Sequence, residues 1–134
     1  MASVDLKTNI NDVVALNSAT ISTDTTTVGN VIDTAGYESV TFIPSIGTRT
    51  DGTYTPLITE CDTSGGSYTA VADADLIGTE AEAVLNASNT SSRIGYVGKK
   101  QFVKFSFVST STSSGTTGAT CIAILGSAKH NPVA

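Results

Sequence analysis

Few residues in this chain have the types and spacing that chemistry requires. His130 is its one histidine, so a Ser-His-Asp or Cys-His arrangement, or a multi-histidine metal site, would have to be built around it. The expectation is instead a tail residue making ordinary polar contacts. Asp73, Asp75, Glu80 and Glu82 are the best candidates for a hard cation such as calcium, which needs several oxygen ligands converging from a shaped loop. Their spacing does not match the EF-hand loop, which favours a solvated acidic loop. Cys61 and Cys121 lie far apart in apparent strands without a CxxC or CxxH context. Buried free thiols acting as small hydrophobes are therefore expected, rather than zinc ligands or a disulfide. The stretches "TSGGSY" and "IGYVGKK" lack the Gly-Lys-Ser/Thr ending of a phosphate-binding loop. With no Trp and 6% aromatic residues, little surface is left for stacking a sugar between paired carboxylates. The expectation is a non-enzymatic protein with no catalytic residue, no cofactor and no metal.

Composition narrows the class further. At 134 residues the chain fits one domain with a single core. Hydrophobic residues make up 40% and charged residues only 14%, against roughly 25% charged in an ordinary soluble domain. That bias favours strands with large neutral surfaces, some of them covered by partner subunits. The net charge of −5 argues against nucleic-acid binding, which normally shows a basic face. The densest basic cluster, Lys99 and Lys100 with Lys104, reads as a solvated hairpin tip. No apolar run approaches the roughly 20 residues that span a bilayer. The start "MASVDLKTNINDVVALN" lacks a basic stretch followed by an apolar one, so no membrane role is expected and the protein is read as made and kept in the cytoplasm until it is assembled.

The elements that would position these residues read as strands. Residues 4–16 carry Leu6, Ile10, Val13, Val14 and Leu16, a spacing that fits neither helix nor strand cleanly, and are expected to form an extended arm. Residues 28–32 and 39–46 are β-branched runs separated by "DTAGYE", a turn signal. Pro44 removes a backbone donor, which predicts an edge, a bulge or a bend. Asp51-Gly52 and Gly65-Gly66 predict two turns of a β-meander, with half-buried tyrosine rings at Tyr54 and Tyr68. Residues 73–92 mix helix formers with interrupting Gly and Asn and predict an irregular crossover with at most one short helical turn. In "FVKFSFV" the side chains of Val103, Phe105 and Phe107 alternate with Phe102, Lys104 and Ser106, the period of a half-buried strand. "RIGYV" is expected to pair with it through the "GKK" turn. "ATCIAILGSA" is a final, nearly all-apolar strand. Short strands with regular turn signals predict an all-β fold, a single antiparallel sandwich or barrel, jelly-roll-like, of about seven or eight strands. The expected organisation is an arm over 1–16, a β-sandwich over 17–129 and a tail over 130–134.

The phrases "TDGTYTP", "VADADLIGT" and "RIGYVGKKQFV" resemble those of a group of small tailed-bacteriophage virion proteins, and most of the chain is similar to head decoration, or cement, proteins. The resemblance implies a β-sandwich on the capsid exterior that binds the major capsid protein lattice and neighbouring copies of itself, as a homotrimer or homodimer. The sequence has no counterpart of the glycine- and proline-rich arm of the lambda-type trimeric cement protein. Under this reading Val4, Leu6, Ile10, Val13, Val14 and Leu16, with His130 and Pro132 in the tail, are the expected capsid or subunit contacts. Removing residues 1–16 is then expected to leave a folded domain. The rival readings are another virion component, tail or fibre-associated, and a host-surface carbohydrate-binding sandwich.

Overall fold

The computed structural model describes residues 5–128. A 3-10 turn at Lys7–Asn9 leads into β1 (Asn11–Ile21), β2 (Thr26–Asp33), β3 (Tyr37–Ile46) and β4 (Thr53–Cys61). Four short strands follow: β5 (Thr69–Ala70), β6 (Leu76–Ile77), β7 (Thr90–Ser91) and β8 (Ile94–Tyr96). The long β9 (Phe102–Thr110) and β10 (Thr116–Ala128) complete the set.

These strands build two antiparallel sheets. One is six-stranded in the order β1-β10-β3-β8-β6, with β7 also beside β3; the other is four-stranded in the order β2-β9-β4-β5. From β1 to β4, and again from β8 to β10, each successive strand lies in the opposite sheet. That alternation is the strand order of a jelly roll, an open sandwich of two interlocked Greek keys. The expected all-β sandwich is thus present, without barrel closure. Ten strands are described, of which three have only two residues, which accounts for the shortfall in the seven or eight expected.

The core follows from alternation. Val103, Phe105 and Phe107 point inward from β9 and are fully buried. Phe105 meets Phe107 edge-on at 4.9 Å and Phe42 at 5.9 Å between ring centroids. Tyr54, expected half-buried, is instead fully buried and stands edge-on to Phe107. Its hydroxyl donates to the Asp51 carbonyl at 2.8 Å, which lets the ring enter the core without stranding its polar atom. Tyr68 is half-buried, as expected.

Several expectations are corrected. The arm boundary at residue 16 falls inside β1, because residues 11–16 pair with β10. The spacing there fits no regular period because β1 changes register between Val14 and Leu16 and twice more before Ile21. A bulge turns consecutive residues toward the same side, and both Ala15 and Leu16 are buried. The turn at Asp51-Gly52 joins opposite sheets, so only β4 and β5 form a hairpin of the expected meander. Likewise β8 pairs with β3 and β6, not with β9. Pro44 lies in an interior strand, opposite Cys121. Its other side faces the gap between β7 and β8, where the Ser92 N–H donates to the Pro44 carbonyl. The missing proline donor is therefore needed by no ladder bond. Residues 73–92 form the expected irregular crossover, with one 3-10 turn at Asp73–Asp75.

Candidate functional site

The contacts expected near the N-terminus do not form one surface. Leu6 is 65% exposed just ahead of the 3-10 turn, and Ile10 is half-buried at its end. Val13 packs against the core, and Leu16 lies within it. Only Val14, 45% exposed, faces outward from β1. Val13 and Leu16 are thus corrected from partner contacts to core residues, because pairing with β10 directs them between the sheets. Val4, His130 and Pro132, with the tail at 130–134, lie outside the described residues.

The register aligns a broader surface on the outer side of the six-stranded sheet. Val14 of β1 stands beside Ile122 of β10, which stands beside Ile43 of β3. The adjacent row runs Asp12, Ile124, Thr41, Gly95 and Ile77 across five strands. Ile77 at its far end is 65% exposed. Arg93 precedes β8 beside Ile43, in a hollow with Ser91 and Ser92, and also borders a second hollow with Thr41, Ile77 and Gly95. The outer side of the four-stranded sheet is also partly apolar, with Val28 58% exposed in a row with Ser106 and Leu57. Lys104 interrupts that side, its ammonium 4.2 Å from the Tyr68 ring centroid. The one available sequence signal for the larger face was the near-continuous apolar run of β10, the pattern of a strand covered on both sides.

Most of the sandwich's engaged ionisable groups serve as fasteners. The Asp51 carboxylate accepts from the Ser113 hydroxyl and from the N–H groups of Ser113, Ser114 and Gly115. These bonds, the Ser113 hydroxyl foremost, hold its carboxyl well below the usual carboxylate range. They tie the β3–β4 corner to the β9–β10 corner. Glu80 accepts from the Ile58 N–H at 2.8 Å, and burial raises its carboxyl above the ordinary value. Leu85 exchanges two backbone bonds with Tyr54, so the crossover covers the edge of β4. Pro56 sits between these two fastenings, its missing donor facing the same edge. The Tyr96 hydroxyl donates to Glu60 at 2.9 Å, and burial, then that bond, pushes the phenol upward. Lys100 pairs with Asp62 at 2.8 Å across exposed side chains.

Among the described residues no three His, Cys, Asp or Glu side chains converge on a metal position. Asp73 and Asp75 bracket the 3-10 turn, while Glu82 accepts from the Thr79 N–H. Both cysteines are free; Cys121 is buried, which pushes its thiol up. No buried side-chain polar atom lacks a hydrogen-bond partner among the described residues. None of the described helices is long and apolar enough to cross a membrane.

These features define an all-β jelly-roll sandwich. The chain matches no protein-family model and no curated protein. Among solved structures it is similar to the crystal structure of the PBSX exported protein XepA, with a TM-score of 0.57 and 15% sequence identity over 92% of this chain. It spans 39% of the length of that protein's chain. At this identity the likeness is one of fold.

Proposed function

We propose that this chain is a non-enzymatic virion structural protein that decorates the exterior of an assembled phage capsid, binding the major capsid protein lattice and stabilising it. The observation that carries this reading is that both sheets present sparsely charged, partly apolar outer sides that the described residues leave uncovered, as at Val14, Ile77 and Val28. Such surfaces suit a protein that becomes partly buried in an assembly. The phrases similar to decoration proteins support the same reading. "TDGTYTP" forms the Asp51 corner, "VADADLIGT" the crossover against β4, and "RIGYVGKKQFV" the step from β8 to β9. Jelly rolls are also a recurrent architecture of viral shell proteins.

A decoration protein stabilises by mass action. It binds the closed lattice in preference to free subunits, and so shifts the equilibrium toward the shell. Several modest contacts act together when copies associate with each other and with a repeating lattice. The test is cosedimentation with expanded heads lacking the protein. Saturation at a stoichiometry matching the lattice symmetry, with greater resistance of the heads to heat, is the expected result. Failure to bind heads overturns the reading; saturable binding to a glycan array would then place the protein at the host surface.

A further inference from the structure

We infer that the outer side of the six-stranded sheet is an isologous contact between two copies of this chain, with Asp12 of each opposite Arg93 of the other. The inference deepens the proposal that copies associate, and rests on it for its biological setting.

The face is apolar at its centre, where Ile122, Ile124 and Ile43 occupy adjacent positions of β10 and β3. β10 is apolar on both sides: Cys121, Ala123 and Leu125 fill the core, while Ile122 and Ile124 look outward. In a sandwich with one solvated side, the outward positions are ordinarily polar. Apolar residues there mark a side that something covers.

Charge indicates what covers it. The chain carries a net −5, yet along these rows the ionisable residues are one acid and one base, Asp12 at the β1 rim and Arg93 beside β8. Both are exposed, and among the described residues neither makes an ion pair. Asp12 and Arg93 are separated by three strand intervals, about 14 Å at the usual strand spacing. The line midway between them runs between β10 and β3, through the apolar centre. A two-fold axis along that line, lying in the plane between two facing sheets, sets β1 of one copy over β8 of the other. Each Asp12 then meets an Arg93, and the isoleucines of both copies meet at the axis. The two residues stand in adjacent rows, an offset of about 7 Å along the strand, which the long arginine side chain spans. A surface that is its own electrostatic complement under a two-fold rotation is what an isologous interface requires.

The experiment is sedimentation of the full chain over a concentration series, for the wild type, D12R, R93D and the D12R/R93D double variant. Circular dichroism confirms that each is folded. A wild-type dimer is expected, weakened about tenfold or more by either single reversal, which sets like charges against each other, and restored in the double variant. A wild type that remains monomeric, a three-fold assembly, or a dimer indifferent to both reversals overturns the inference. Head binding is measured on the same samples. Saturation of heads by a wild type that is monomeric in solution overturns this face as a self-contact and leaves the decoration reading standing. If R93D then loses head binding, the lattice covers the face instead. A charge-swappable dimer that ignores heads overturns decoration and leaves the face.

Discussion

Asp51 concentrates more bonding than any other acid in the chain. The sequence marks it as a turn residue, since Asp-Gly tolerates the left-handed backbone, and Gly52 does adopt φ +96°. Nothing local reveals that its carboxylate gathers donors from residues 113–115, more than sixty positions away. Because the folded-state pKa is depressed, the contribution of this group is fully present above the ordinary carboxylate value of 3.8 and is lost as pH falls below it. D51N places an amide N–H among donors and forfeits the charge. The variant is expected to melt below wild type at pH 7, with the gap narrowing as pH is lowered under about 4, followed by thermal melts across the acid range.

At the scale of the element, β1 and β2 show how edge strands are managed. Both carry register shifts, β1 between Val14 and Ile21 and β2 between Val28 and Val31. The two irregular segments meet across the sandwich. The Asn30 side-chain amide donates to the Val14 carbonyl at 3.1 Å, satisfying an acceptor at the β1 bulge. Gly29 lies so close that a Cβ there would collide with the carbonyl oxygens of Ala15 and Phe105. Bulges of this kind twist an edge away from further pairing. G29A is expected to destabilise the fold by about 1–3 kcal/mol, the usual range for forcing an extra group into a filled space. Chemical denaturation reads the change, and a variant as stable as wild type would show that the close approach relaxes freely. The glycine was visible in the sequence; the backbone it must admit belongs to two other strands.

For the whole molecule, the first strand completes the larger sheet from the opposite end of the chain, since β1 pairs with β10. Truncation experiments must respect that closure. Removing residues 1–16 strips Ala15 and Leu16 from the core and exposes the flank of β10. Loss of a buried leucine alone typically costs about 2–5 kcal/mol, so this truncation is expected to unfold or melt far lower. Removing residues 1–10 leaves β1 intact and should preserve the melting temperature. If the exposed Leu6 and its neighbours reach the lattice, that shorter truncation weakens head binding without changing stability. Cosedimentation beside a thermal melt separates these two effects, and unchanged head binding removes the N-terminal segment from the contact.

The sequence by itself determined the strands at β2, β3, β4, β9 and β10 and which face of β9 turns inward, because alternation and turn chemistry act over a few residues; it did not determine β1, whose register shifts erase the period. It also determined that the 73–92 crossover would be irregular, since its Gly and Asn interrupt every period. What only the tertiary structure decided is pairing. In a jelly roll most long neighbours in the chain lie in opposite sheets, so the same turn signals that suggest hairpins serve as corners. Partners such as β1 and β10, or β2 and β9, are chosen by the fit of two apolar faces across the core, a property no local window contains. The Asp51 fastening, the Gly29 contact and the rows from Val14 to Ile43 and from Asp12 to Ile77 all arise from that choice.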